Sequence, residues 1–210
     1  MIKEGIKNSF IGKAWTYFFS LKSLYEKKFV IPTYDEKRKI LGGYQEKFKL
    51  TTLVETGTFL GDTVEFFKNR FEKVYSIELS EELALKAQKR FETDSNITII
   101  HGDSGEVLSS LVDEFEKPAL FWLDGHYSSE FFLNGEFIKT ARSDKNTPVE
   151  KELDLLLSSK VKHVILIDDA RLFTGKGDYP TIRTVKEKVR KANVEYEVFV
   201  KKDIINIIPA

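Results

Sequence analysis

The carboxylates Glu55, Glu78, Asp103, Asp124, Asp168 and Asp169 each stand at or just after the end of a short apolar run, in "LVETG", "YSIELS", "ITIIHGDS", "ALFWLDG" and "HVILIDDA". One such acid is readily a helix cap or a turn residue. A whole rim of them points to a site, because clustered acids perturb one another's proton affinity and attract cations. The first acid lies in "LVETGTFLGDTV" (53–64), where Gly57 and Gly61 permit a tight turn and close backbone approach to a ligand. Glu55 takes the place of the first glycine in the dinucleotide pattern G-x-G-x-x-G, and a carboxylate there repels a diphosphate. A cationic ligand is favoured instead.

The elements that must position these acids follow from hydrophobic periodicity. β-rich runs at 53–55, 73–78, 97–101, 119–124, 163–169, 194–200 and 203–208 alternate with "DTVEFFKNRF", "SEELALKAQKRFE", "SGEVLSSLVDEF", "TPVEKELDLLLSS" and "TIRTVKEKVRKA", whose apolar residues recur near a 3.6 period. Alternation of this kind predicts an α/β fold, a doubly wound, mostly parallel sheet of seven strands with helices on both faces. Only Lys201 and Lys202 separate the last two runs, too few residues for a crossover, so they form a hairpin and one C-terminal strand runs antiparallel. Ser80 before Glu81 and Glu82, and the T-x-x-E capping box of Thr147 and Glu150 with Pro148 between them, mark helix starts. In such a sheet ligands bind beyond the carboxyl ends of the strands, where the acids lie.

S-adenosylmethionine brings an ammonium and a sulfonium and no phosphate, so its charge suits an acidic turn. Glu78 follows Glu55 at about the interval of 20 residues at which dinucleotide folds place an acid on ribose hydroxyls. "VETGTFLGDTV", "YSIELS", "HGDSGE" and "FWLDGH" together resemble the successive ligand-binding segments of class I S-adenosylmethionine-dependent methyltransferases, over roughly residues 50 to 210. That resemblance implies a Rossmann-like fold in which Glu55, Gly57, Thr58 and Gly61 hold the methionine part, Glu78 the ribose, and Asp103 with Ser104 the neighbourhood of the adenine. Asp124 closes the set. For Ser104, a role as N-cap of "SGEVLSSL" stands beside ligand contact.

Asp124, Asp168 and Asp169 come from two runs that are neighbours in such a sheet. Converging carboxylates repel unless a cation lies between them, and an all-oxygen set favours magnesium, manganese or calcium. The arrangement is similar to that of metal-dependent O-methyltransferases of the catechol and macrocin types, and implies a divalent ion, magnesium or manganese, that acidifies a substrate hydroxyl. Arg171 offers the rival explanation, an ion pair that makes the cluster structural. His126, two residues beyond Asp124, is the candidate general base, because its ordinary pKa lies near neutrality. The catechol type has a lysine base shortly after its metal aspartate, whereas Tyr127 and Ser128 follow His126 here, so packing of His126 on the adenine stands beside the role of base. His163 opens an apolar strand and reads as structural, and His101 is unassigned.

Composition bounds the function. With 33 basic and 33 acidic residues in 210, nothing points to nucleic acid, and the absence of cysteine excludes thiolate chemistry and fits a cytoplasmic setting. Two segments fall outside the alternation. Residues 1–45 form an N-terminal helical extension to a methyltransferase domain at 46–210; its aromatic stretch at 10–28 suits a lid, a homodimer contact or an interfacial membrane helix, and a second helical pattern ends near Gly42 and Gly43. Residues 125–146 are a long connection of the length that often meets substrate. The leading expectation is metal-assisted O-methylation of a small polyhydroxylated acceptor such as a sugar or glycan precursor. The alternatives are metal-independent transfer to a carboxyl or nitrogen, and an inactive cofactor-binding module.

Overall fold

The computed structural model describes residues 31–125, 130–133, 136–139, 147–192 and 195–210. The aromatic stretch at 10–28 and His126 lie outside them. In chain order the elements are α1 (Tyr34–Phe48), β1 (Thr52–Thr56), α2 (Asp62–Phe67), β2 (Lys73–Glu78), α3 (Glu81–Arg90), β3 (Ile97–His101), α4 (Ser104–Leu111), β4 (Leu120–Leu123), β5 (Glu130–Leu133), β6 (Glu136–Lys139), α5 (Val149–Ser158), β7 (Val164–Ile167), α6 (Ile182–Lys191), β8 (Tyr196–Lys201) and β9 (Ile204–Pro209).

Seven strands build one sheet in the order β3-β2-β1-β4-β7-β9-β8. The first five are parallel, and β9 pairs antiparallel with both β7 and β8. The central strands are "LFWL" and "VILI", buried at every position, as strands covered on both faces must be. Side chains alternate between two cores. Val54, Phe121, Leu123, Ile165 and Ile167 pack with α4, α5 and α6 on one face, and Leu53, Leu120, Trp122, Val164 and Leu166 pack with Leu41 of α1 and Phe67 of α2 on the other. Each fully buried aliphatic or aromatic side chain contributes about 1.5–3 kcal/mol.

The hairpin predicted from Lys201 and Lys202 is present. Its turn places Lys202 and Asp203 both in the left-handed region, at φ 48° and 57°, the geometry that matches the twist of flanking strands. Three local expectations change. Gly42 and Gly43 do not end a helix: α1 continues to Phe48 and is closed by left-handed Lys49, because Leu41 and Gly42 are buried and packing outweighs the low helix propensity of glycine. The connection after β4 carries its own structure, the antiparallel pair β5–β6. At α5 the helix begins at Val149, one residue later than the capping box places it; the Thr147 hydroxyl accepts from the Val149 amide at 3.3 Å.

Candidate functional site

The strand order reverses between β1 and β4, and the crevice beyond their carboxyl ends is where open α/β sheets bind ligands. Gly57 leaves β1 at φ 90°, and a Cβ added there would stand 2.8 Å from the Asp124 carbonyl oxygen. Only glycine lets the turn lie so close against the end of β4. Gly61 at φ 80° caps α2, and a Cβ there would meet the Phe91 ring at 2.7 Å.

Glu78 holds this turn from the next strand. Its carboxylate accepts from the Phe59 amide at 2.8 Å and from the Ser80 amide at 2.9 Å. Phe59 is itself left-handed at φ 49°, so the bond fixes a conformation that a non-glycine residue adopts reluctantly. Asp103 is the N-cap of α4 and accepts from the Gly105 amide at 2.9 Å; the capping role considered for Ser104 belongs to Asp103, and Ser104 is the first helical residue.

Glu55 lies beneath the turn rather than on its open side. It is buried, and the Ser76 hydroxyl donates to it at 2.8 Å while sharing a 2.7 Å hydrogen bond with buried Thr58. Burial, with Asp124 and Glu78 adding to it, pushes the Glu55 carboxyl up to about 8. Glu55 and Thr58 therefore form a buried polar bracket that shapes the turn.

At the other side of the crevice the β4–β7 register pairs Leu123 with Ile167, which brings Asp124 and Asp168 next to each other, and the Asp168 amide donates to the Leu123 carbonyl at 3.0 Å. Adjacent strands lie about 4.8 Å apart, so two carboxylates in this register require a counter-charge. Lys37 of α1 supplies it, with its ammonium bonded to Asp168 Oδ2 and lying 6.0 Å from the Trp122 ring centre. Burial opposes the charge on Lys37, but Asp168, and after it Asp124 and Asp169, hold its pKa above the ordinary lysine value. Burial and then Asp124 push the Asp168 carboxyl up, with Lys37 pulling against them.

Asp169 turns away. It is left-handed at φ 55° and accepts from Arg171 Nη1 at 2.7 Å, while the same guanidinium bonds buried Asp203 Oδ2 and the Arg171 amide donates to Asp203 Oδ1 at 2.8 Å. The rival reading of Arg171 is thus realised. Among the described residues, no group of three acidic or histidine side chains is arranged to hold a metal ion. As they stand, Asp124, Asp168 and Asp169 do not fit a divalent ion as a three-carboxylate set, because side-chain cations already neutralise two of them.

Three contributors were not anticipated. Lys37 carried no local signal, being in a helix assigned to an extension. Tyr179 lines a cavity of about 10 Å³ together with Asp124, Gly125, Thr147, Glu152 and Asp168; burial, then Asp169 and Asp124, push its phenol up to about 12, so it remains a hydrogen-bond donor. Glu152 is buried on α5, and its carboxyl is pushed up to about 7 by burial. A signal for Glu152 existed: it shares the apolar face of "VEKELDLLLS" with Val149, Leu153 and Leu156. His163 is structural as expected. Its Nδ1 accepts from the Ala119 amide at 3.2 Å, and burial holds its pKa down at about 4.

No family model and no curated protein matches the chain. Solved structures do. An O-methyltransferase from Bacillus cereus in complex with SAH is 14% identical with a TM-score of 0.54, covering 99% of this chain and 96% of that one. The SAH-bound Podospora anserina methyltransferase PaMTH1 is 15% identical with a TM-score of 0.53, covering 83% and 78%. TomG from Streptomyces achromogenes, an O-methyltransferase involved in tomaymycin synthesis and solved with SAM, is 13% identical with a TM-score of 0.51, covering 86% and 82%. At these identities the likeness is one of architecture: the chain has the Rossmann-like fold of these methyltransferases, a seven-stranded, mostly parallel sheet with an antiparallel C-terminal strand flanked by helices.

Proposed function

We propose that this chain is an S-adenosylmethionine-dependent methyltransferase that methylates a hydroxyl of a small polyhydroxylated acceptor, such as a sugar or glycan precursor. The observation that carries the reading is the crevice at the β1–β4 reversal, where the Gly57 turn lies against the Asp124 backbone and Glu78 holds the far side of that turn. In this reading the backbone around Gly57, Thr58 and Gly61 receives the methionine part, Glu78 the ribose, and Asp103 with Ser104 the adenine side. Neutral Glu55 supports the turn from below.

Transfer breaks the bond from sulfonium sulfur to methyl and forms a bond from acceptor oxygen to methyl, and the hydroxyl proton passes to a base. Asp124, at the mouth of the crevice, and His126, two residues on and outside the described residues, are the candidates for that task. Lys37 and Arg171 already occupy two of the carboxylates that a divalent ion would need. The same reading places the protein in the cytoplasm, as a homodimer with peripheral membrane contact through residues 10–28; among the described residues no helix is long and apolar enough to cross a membrane.

Calorimetric titration of S-adenosylmethionine into the purified protein tests the reading. Saturable one-to-one binding, weakened at least about tenfold by Glu78→Ala, supports it. A folded wild-type protein that takes up neither S-adenosylmethionine nor its demethylated product would overturn it. Turnover with polyhydroxylated acceptors should persist with a chelator present; activity restored only by added magnesium would bring back the metal-assisted form.

A further inference from the structure

We propose that Lys37 is a tethered cation standing in for a divalent ion at the carboxylate rim, and that replacing its ammonium by a neutral side chain opens a site for a hard divalent cation. The inference rests on rim geometry alone and holds whether or not the chain transfers methyl groups. The parallel register of β4 and β7 forces Asp124 and Asp168 side by side on the face that α1 covers. An acidic pair alone would say little. The second observation is at Asp168 itself, which is 4% exposed: Oδ2 is bonded to Lys37, whereas Oδ1 is buried and has no hydrogen-bond partner among the described residues. A buried carboxylate oxygen left without a donor is a costly arrangement, and Asp168 lines one small cavity together with Asp124. Such an oxygen, near the Asp124 carboxylate and behind the Lys37 ammonium, has the donor chemistry of a hard-cation site whose charge is supplied by a side chain.

Lys37 is well placed to be a fixed charge. It lies in the first turn of α1, a helix whose start is set by the capping box of Thr33 and Glu36, and its ammonium lies 6.0 Å from the ring centre of Trp122 on β4, two residues before Asp124. The side chain is 16% exposed, so solvent screens the ammonium little. Arg171 cannot take over the task, because its guanidinium is engaged by Asp169 and Asp203.

The test is Mn²⁺ binding, followed by electron paramagnetic resonance and calorimetry without cofactor, on the full-length wild type, Lys37→Met, Lys37→Arg and the double variant Lys37→Met/Asp168→Asn. The wild type and Lys37→Arg should bind no stoichiometric Mn²⁺. Lys37→Met should gain one site, with affinity at least about tenfold above wild type, since an opposing positive charge has been removed from the carboxylates. The double variant should lose that gain. Stoichiometric Mn²⁺ binding by the wild type would overturn the inference, as would a folded Lys37→Met that binds none. If Lys37→Met does not fold, Lys37→Gln takes its place in the titration, and a folded Lys37→Gln that binds no Mn²⁺ would overturn the inference equally. Because no arm uses S-adenosylmethionine, failure here is distinguishable from failure of the methyltransferase reading.

Discussion

The Glu78 carboxylate accepts the Phe59 amide at 2.8 Å through one oxygen and the Ser80 amide at 2.9 Å through the other, tying the turn after β1 to the start of α3. Glu78→Ala leaves two backbone donors without this acceptor and releases left-handed Phe59. The expected loss is about 1–3 kcal/mol in urea denaturation, the cost of stranded polar groups, together with the weaker cofactor binding described above. Unchanged stability with normal binding would show that the turn is held by other means.

Gly57→Ala should damage the site more than the fold. The added methyl meets the Asp124 carbonyl at 2.8 Å and must adopt φ 90°, so the turn has to move away from β4. A loss of at least about 1 kcal/mol is expected, as for an alanine placed at positive φ. Isothermal calorimetry should show loss of S-adenosylmethionine binding while circular dichroism remains native. A variant that binds with wild-type affinity would remove Gly57 from the site.

Stability should depend on pH through three buried groups. Glu55 titrates at about 8 in the fold against 4.5 ordinarily, so the folded state keeps a proton that the unfolded chain has lost; its contribution is full below 4.5 and is lost as pH rises towards 8. Glu152 acts in the same sense, with its window between 4.5 and about 7. His163 runs the other way: its folded value of about 4 lies below the ordinary 6.5, so its contribution is present above 6.5 and lost as pH falls through 4. Urea midpoints measured across this range should fall towards alkaline pH in the wild type, and less steeply in Glu55→Gln. Parallel curves for the two proteins would contradict the buried, protonated state of Glu55.

Arg171→Met should cost about 2–3 kcal/mol. Removing one partner of a buried pair costs about 3–5 kcal/mol, and the lower figure reflects solvent screening of a guanidinium that is 35% exposed. Fully buried Asp203 would lose its charged partner, and the left-handed residues Asp169 and Asp203 would no longer be clamped together. Thermal denaturation of Arg171→Met beside Arg171→Met/Asp203→Asn checks this. If removing the stranded charge restores no stability, Asp203 was never held by Arg171.

The sheet was legible because its signals are local. "VILI" and "LFWL" can hardly be other than buried strands, and two residues between β8 and β9 permit only a hairpin. Glu78 and Asp103 were legible as residues at strand ends, since position after a strand follows from periodicity alone. What the chain alone conceals is which way a side chain turns and what meets it from far away. Glu55 reads as a charge offered to a ligand, yet it points into the fold towards Ser76. Asp168 and Asp169 read as an adjacent pair, yet the left-handed backbone at Asp169 sends them to different partners, Lys37 and Arg171. Gly42 reads as a helix end, yet it lies where the Arg70 side chain approaches within 3.2 Å of its Cβ position, and bulk rather than propensity decides.

The placement of β9 between β7 and β8 has a consequence for the order in which the molecule can assemble. A chain emerging from the ribosome presents β1 to β4 and β7 early, but the edge of β7 has no partner until residues 204–209 appear. Asp203, which receives the Arg171 guanidinium and amide, lies just before β9. The rim is therefore completed only after residues 203–209 have been made, and a nascent chain halted before residue 203 would display a bare, strongly apolar strand edge, a surface for chaperones rather than for a cofactor. Stalled chains of graded length, probed by limited proteolysis, should become resistant only once β9 is out of the tunnel.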